Sequence, residues 1–406
     1  MHRVVITGIG VISALGLDSH CFWQSLLHGK GGIAPMQLVD ATKIRFKNTA
    51  EVKNYNSDVF FPPKQVGFMD RFAQFAVIAA REAVQMAGIE WTPELRERTT
   101  IVTGTCIGGR TAEESGYWEL FHNGGNRVHP LTIPLGMSNA GASHISIEFG
   151  IQGPTYTVST ACSSSAHAIG QAFWAVRSGA APMAITGGSE APMFFGGLKA
   201  WEAMRVVSPD TCRPFSADRS GMVLGEGGAM LILEPLEDAI ARGVRPLAEI
   251  VGFGMSSDAS HVIQPSQEGA ELAIRAALRD GGLHPEEVDY INAHGTATQA
   301  NDAMEIAAIR GVLGKHAEKT AISSTKSMHG HTLGAAGAIE AAATVLALEH
   351  AVLPPTMNFT TIDPACDLDV IPNVARSLAA DVALSNSFAF GGLNAVLAFR
   401  SAAGLV

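Results

Sequence analysis

Apolar positions along this chain follow two alternating rhythms. Short runs rich in β-branched and aromatic residues read as strands: Val4–Thr7, Thr100–Thr103, Thr155–Val158, Met183–Thr186, Glu249–Phe253, Val288–Ile291 and Ala321–Ser324. Between them, apolar residues recur at spacings of three and four. That spacing predicts helices over Phe72–Ala87 and Glu268–Asp280, and one carrying Ala166, Ile169, Phe173 and Val176 that stops at Gly179. Val4-Val5-Ile6-Thr7-Gly8 reads as a strand entering a glycine turn. Strands alternating with helices over the whole length predict an α/β layered protein.

The pattern also echoes itself. Gly225-Glu226-Gly227-Gly228-Ala229-Met230-Leu231-Ile232-Leu233 and Gly391-Gly392-Leu393-Asn394-Ala395-Val396-Leu397-Ala398-Phe399 are each a glycine turn feeding an apolar strand. This points to two similar halves, joined near Leu236–Arg245 and fused without a flexible linker.

Composition narrows the class. The 406 residues are 47% hydrophobic and 16% charged with 43 glycines, as expected of a compact, well-buried enzyme. A net charge of −10 argues against a nucleic-acid partner, because phosphate binding needs a basic surface. Five cysteines are scattered with no CxxC pair, which suits a reducing compartment. The N-terminus does not read as a signal peptide. The long apolar stretch Ala335–Leu353 is broken by Glu340, Glu349 and His350, which disfavours a membrane span. The expectation is a cytoplasmic protein.

Three segments carry candidate chemistry. Cys162, in Thr160-Ala161-Cys162-Ser163-Ser164, lies between a strand and a helix, where helix N-terminal amides would favour a nucleophilic thiolate. His294 follows a strand, in Asn292-Ala293-His294-Gly295-Thr296-Ala297-Thr298. His331 lies in Lys326-Ser327-Met328-His329-Gly330-His331, ahead of an Ala/Gly-rich helix that must pack closely on other backbone. No Cys/His cluster of metal-ligand spacing links these segments, so no catalytic metal is expected.

Together and in this order the three motifs resemble the Cys-His-His set of the β-ketoacyl-acyl-carrier-protein synthases, type II branch. The likeness continues through Phe215-Ser216-Ala217-Asp218-Arg219, Leu224-Gly225-Glu226-Gly227 and Asn386-Ser387-Phe388-Ala389-Phe390-Gly391-Gly392, so it covers nearly the whole chain. Within the branch, Asp210-Thr211-Cys212-Arg213-Pro214, Cys366-Asp367-Leu368-Asp369-Val370 and the histidine at 329 resemble the nodulation protein E-like group. The resemblance implies a thiolase-like α/β fold: two duplicated βαβαβαββ halves in a five-layered α-β-α-β-α arrangement. Residues 1–240 would carry the nucleophile and 241–406 the histidines.

It further implies a decarboxylative Claisen condensation of an acyl chain held on Cys162 with malonyl-acyl carrier protein. His294 and His331 would donate hydrogen bonds to the enolate, and Lys326 would orient the site. The amides of Cys162 and Phe390 would form an oxyanion hole, with the Phe390 side chain as the gate. Thr296 and Thr298 match positions that bind phosphopantetheine, which arrives on the carrier; Ile107 and Trp201 match the acyl-pocket region. Lys64, Arg71, Arg127 and Arg205 match a carrier-protein docking surface. Asn292, Glu340, Ser385 and Asn386 match positions holding a structural monovalent cation in some relatives; no other cofactor is implied.

Two departures bear on specificity. Ala389 replaces a usual glycine in the gate, where a positive φ would be strained, and Ile263-Gln264 replaces a threonine-bearing pantetheine loop. His329 is read as a supporting or surface residue. A catalytically silent, chain-length-factor-like partner would lack the nucleophile, and a degradative thiolase would need a cysteine within Asn386–Gly392; neither fits. Housekeeping fatty-acid elongation and specialised polyene or polyketide synthesis both stay open. So do a homodimer and a heterodimer with a chain-length-factor-like subunit.

Overall fold

The computed structural model describes residues 1–405. Ten strands form the main β-structure. In the first half these are β1 (Val4–Ser13), β2 (Thr100–Gly104), β3 (Thr155–Val158), β4 (Ala184–Glu190) and β5 (Gly227–Pro235). The second half has β6 (Ala248–Ser257), β7 (Val288–Asn292), β8 (Ala321–Ser323), β9 (Val382–Ala389) and β10 (Leu393–Ser401). Their spatial order is β3-β2-β4-β5-β1 followed by β6-β10-β9-β7-β8, so the second half repeats the first in mirror order about the β1/β6 seam. In each half the two strands nearest the seam join antiparallel neighbours and the outer pairs are parallel. The seam is short: Val4, Val5 and Ile6 pair with Ile250, Glu249 and Ala248.

Six helices complete the repeat: α1 (Arg71–Met86), α2 (Ala140–Phe149), α3 (Ser164–Arg177), α4 (Gln267–Gly281), α5 (Gln299–Leu313) and α6 (Ala336–His350). Interleaved with the strands, they give βαβαβαββ twice. Strand alternation explains the layering. Met230 and Ile232 of β5 pack outward under α1 and α2, while Ala229, Leu231 and Leu233 point inward onto α3 and α6. In the second half, Val396 and Ala398 of β10 face α4 and α5, and Ala395, Leu397 and Phe399 face the central helices. The result is the five-layered thiolase-like arrangement.

Close approach between layers decides where glycine is required. The glycine turn expected after Thr7 does not form; β1 runs on to Ser13. A Cβ on Gly8 or Gly10 would lie 2.0 or 1.9 Å from the carbonyl oxygens of Ala83 and Ala79 on α1, so these glycines let the helix sit directly on the strand. The central pair follows the same logic, since a Cβ on Gly337 of α6 would meet Ala166 of α3 at 2.8 Å. Thirteen residues of α6 are buried, Ala336 through Leu348, which is why it carries no polar face. Among the described residues no helix is long and apolar enough to cross a membrane.

Candidate active site

Strand ends deliver the site. The chain leaving β3 turns sharply at Ala161, whose φ of +50° is a strained value for a residue with a Cβ, and enters α3 at Ser164. Cys162 sits on this elbow, 6% exposed. Two amides at the entry to α3 are already used: Ser163 N–H donates to the Thr160 carbonyl (3.3 Å) and Ser164 N–H to that of Ala161 (3.1 Å). The thiolate expected from the sequence is therefore not favoured. Burial pushes the Cys162 thiol up to about 11, only partly offset by the Lys326 ammonium and by the amides of Phe390 and of Cys162 itself.

From the other half, β7 ends at Asn292 and places His294, while the turn between β8 and α6 places Lys326 and His331. All four side chains are buried. The two imidazoles meet edge to face with centroids 5.4 Å apart, and both line a cavity of about 110 Å³ with Cys162. Their tautomers follow from their partners. The Lys326 ammonium donates to His294 Nδ1 at 3.3 Å and the Leu333 N–H donates to His331 Nδ1 at 3.1 Å. Each Nδ1 is thus an acceptor, and each ring carries its proton on Nε2. Burial, and then the Lys326 charge, lower both pKa values well below the ordinary histidine value. Two neutral Nε2–H donors result, as the enolate-binding expectation requires.

His329 has another job. Its Nδ1 donates to the Gly330 carbonyl (2.8 Å) and its Nε2 accepts from Thr325 Oγ1 (2.9 Å). It is fully buried, so the surface alternative is wrong, and it braces the turn between Lys326 and His331. The His331 backbone is held by the first half, with its N–H donating to Val223 O at 2.7 Å and its carbonyl accepting from Gly225 N–H at 2.9 Å.

Thr296, Thr298, Trp201 and Phe390 line the cavity mouth together with Ile263 and Gln264. The Thr296 and Thr298 hydroxyls share a 2.9 Å hydrogen bond, and Thr298 also caps α5. Phe390 stacks on Trp201 with centroids 6.1 Å apart. Ala389 ends β9 without a positive φ; Gly391 and Gly392 take that conformation instead, at +85° and +69°, so the gate strain expected at Ala389 is absent. Ile107 lies outside the cavity lining and gives its N–H to Glu190 at 3.3 Å.

Of the proposed docking cations, Lys64, Arg127 and Arg205 are exposed, and Arg205 adjoins Val206 at the cavity mouth. Arg71 is a correction. Its guanidinium forks the fully buried Glu226 carboxylate at 2.6 and 2.8 Å and lies over the rings of Tyr55 and Phe75, so it is committed inside the fold.

Two buried glutamates were not read from the sequence. Glu305 of α5 accepts the backbone N–H groups of His294 and Gly295, each at 2.8 Å, and fixes the histidine loop. Glu190 at the end of β4 is the other. A charged residue on the buried face of an otherwise apolar element was the available signal.

Buried oxygens without partners mark the expected cation positions: Asn292 Oδ1, Glu340 Oε2, Ser385 Oγ and Asn386 Oδ1. Asn292 is directly opposite Ser385 across β7 and β9, and its amide donates to the Glu340 carbonyl at 3.2 Å. An all-oxygen set with one carboxylate fits a hard monovalent ion. Lys326 meanwhile pairs with Glu340, whose pKa is raised by burial to about 7. No group of three His, Cys, Asp or Glu suited to a metal occurs among the described residues.

Comparison with known proteins agrees with this geometry. Residues 1–239 match the family Beta-ketoacyl synthase, N-terminal domain, and residues 247–360 match Beta-ketoacyl synthase, C-terminal domain. The chain is 48% identical over 399 residues to Nodulation protein E of Rhizobium sp. (strain N33), covering 98% of this chain and 99% of that protein. It is 43% identical over 406 residues to 3-oxoacyl-[acyl-carrier-protein] synthase 2 of Synechocystis sp. (strain ATCC 27184 / PCC 6803 / Kazusa), covering 98% of each. A solved structure, the ishigamide ketosynthase/chain length factor, superposes with a TM-score of 0.94 at 36% identity, covering 98% of this chain and 99% of that one.

One prediction follows from the cysteine's surroundings. Alkylation of Cys162 by iodoacetamide, followed by intact mass, should stay slow near neutral pH and rise toward about 11. Lys326→Met removes the charge that favours the thiolate, so the profile should move to still higher pH. A profile centred near neutrality would contradict this account.

Proposed function

The chain belongs to the β-ketoacyl synthase family and is a condensing acyltransferase; on that premise we propose how its own residues divide the reaction. Cys162 Sγ takes the acyl group from a carrier-bound thioester, and the carrier thiol leaves with the proton. A malonyl thioester then loses carbon dioxide. The electron pair of the broken C–C bond becomes an enolate, whose oxygen receives hydrogen bonds from Nε2–H of His294 and His331. The enolate carbon attacks the acyl carbonyl, the tetrahedral oxyanion lies against the amides of Cys162 and Phe390, and the cysteine sulfur departs. The fixed tautomers carry this reading: Lys326 and the Leu333 amide make both imidazoles donors toward one cavity.

The same proposal assigns residues 1–240 to the nucleophile half and 241–406 to the histidine half. It takes Thr296 and Thr298 as contacts for the phosphopantetheine arm, Trp201 as acyl-pocket wall, and Phe390 as gate. Ile107 belongs to the loop behind that wall. Asn292, Glu340, Ser385 and Asn386 would hold a monovalent cation, whose charge would keep Glu340 ionised beside Lys326. The partner is an acyl carrier protein, met by Lys64, Arg127 and Arg205. A second subunit, a copy of this chain or a chain-length-factor-like relative, completes the assembly. The unpaired thiols suit a reducing cytoplasm.

For the pathway, we favour a specialised product over housekeeping elongation. Support comes from the greater identity to the nodulation protein than to the synthase, and from Ile263 and Gln264 lining the mouth.

His294→Ala and His331→Ala should each lower malonyl decarboxylation by about a hundredfold or more, while acyl transfer to Cys162, read by intact mass, falls far less. Normal decarboxylation in both variants would show the roles to be wrong. At the docking surface, Arg205→Glu should raise KM for the carrier and weaken its salt dependence with kcat little changed. Arg71→Glu should instead cost about 3–5 kcal/mol of stability by stranding buried Glu226, which a denaturant titration measures. For specificity, condensation rates across saturated and conjugated acyl carrier thioesters of matched length should favour the conjugated series. Preference for the saturated series would return the protein to ordinary elongation.

A further inference from the structure

Glu190 is fully buried, yet takes no part in the reaction outlined above. Four donors converge on its carboxylate. Thr105 Oγ1 (2.6 Å) and Ile107 N–H (3.3 Å) donate to Oε1; Cys106 N–H (2.7 Å) and Gly334 N–H (3.0 Å) donate to Oε2. Burial raises the Glu190 pKa above the ordinary carboxylate value, and these donors oppose that rise by favouring the ionised form. It ties together two loops far apart in sequence: 105–107, which follows β2, and 333–335, which opens α6.

The second loop is where the catalytic machinery begins. Leu333 gives its N–H to His331 Nδ1 and holds a φ of +48°, a costly conformation for a bulky residue that its surroundings must enforce. Its side chain is buried in the apolar cluster of Met193, Leu198, Met222 and Leu224, against which Cys106 and Trp201 also pack. The junction has no slack. A Cβ on Gly334 would fall 2.4 Å from Cys106 N and 2.5 Å from Glu190 Oε2. One short segment therefore touches the apolar wall with a side chain, the catalytic imidazole with one amide, and Glu190 with the next.

We propose that Glu190 is a positioning residue that locks the 105–107 loop of the acyl-pocket wall to Leu333-Gly334, so that the orientation of His331 as an enolate donor depends on the state of that wall. The device would link the acyl chain lodged against the wall to the decarboxylation step. This rests on the role given to His331 above.

The test uses the full-length enzyme and three assays: acyl transfer to Cys162 by intact mass, malonyl-carrier decarboxylation, and the pH profile of Cys162 alkylation. Glu190→Gln keeps the shape but turns an NH2 toward backbone donors. It should lower decarboxylation by about tenfold or more while acyl transfer changes by about twofold at most. Because the Glu190 charge also raises the Cys162 pKa, the alkylation profile should move to lower pH, which a merely structural loss would not produce. Thr105→Val, which removes one donor and leaves the carboxylate in place, should show a smaller selective loss of decarboxylation, and it serves if Glu190→Gln fails to fold. Equal loss of acyl transfer and decarboxylation in Thr105→Val, or unchanged decarboxylation in a folded Glu190→Gln, overturns the proposal. His331→Ala runs in parallel: if it decarboxylates normally, the reading of His331 fails, whereas a crippled His331→Ala beside a normal Glu190→Gln sinks only the role of Glu190.

Discussion

The site depends on one buried ammonium. Lys326 is wholly removed from water, which costs several kcal/mol unless its hydrogen bonds are satisfied in place. Its partners are Glu340 on α6 and His294 beyond β7, so satisfying one charge fixes three elements of the second half against one another. The same contact decides chemistry. An ammonium can only donate, so His294 Nδ1 can only accept, and the ring proton is left on the nitrogen facing the cavity. The positive charge also opposes protonation of both imidazoles. One interaction thereby orders the fold, sets a tautomer and adds to the burial that keeps two histidines neutral.

Such a charge can be buried only where surrounding backbone is rigid. The α3/α6 contact provides that rigidity around Glu340, because the helices approach until a Cβ on Gly337 would collide with Ala166. Around Lys326 the accounting of carboxylates is uneven: Glu340 pairs with it, while Glu305 is held by the His294 and Gly295 amides and by Asn386. Burial raises the pKa of both carboxylates, that of Glu340 to about 7, so their ionised forms are costly there. The side-chain oxygens of Asn292, Ser385 and Asn386, on the paired strands β7 and β9, lack partners. These acceptors, with the free Glu340 oxygen, are those the proposed monovalent cation would occupy.

Sequence reasoning recovered the layers because period-two and period-3.6 patterns report burial directly, and the echo between 225–233 and 391–399 located β5 and β10, the matching strands of the two halves. It failed where a residue's role depends on a distant partner. Gly8 read as a turn because glycine usually marks one; the demand for it comes from Ala83 on a helix more than seventy positions away. Arg71 read as a surface cation because its partner, Glu226, lies in a glycine-rich segment with no apparent link to it. Glu190 and Glu305 escaped notice because neither belongs to a recognisable motif, and their significance lies in the amides they collect. The cysteine and histidine motifs were legible because small residues around them mark tight, strand-end loops.

Cys162 lies on the strand-to-helix elbow expected from the sequence, but burial opposes the ionisation expected there. A helix N-terminus can stabilise a thiolate, but here the Ser163 and Ser164 amides are taken by Thr160 and Ala161, and burial outweighs the rest. What remains is burial, which holds the sulfur as a thiol. For a ketosynthase this is useful: a protonated, enclosed nucleophile is inert toward solvent electrophiles. The groups that can ease its ionisation, the amides of Cys162 and Phe390, are those that would stabilise the oxyanion of an arriving thioester. Donors already aimed at the sulfur need little rearrangement to meet a carbonyl oxygen beside it. Phe390 stacks on Trp201 in the cavity lining, so under the proposed function the residue that supplies one of those donors would also guard entry, and the environment that activates the cysteine would be completed as substrate arrives.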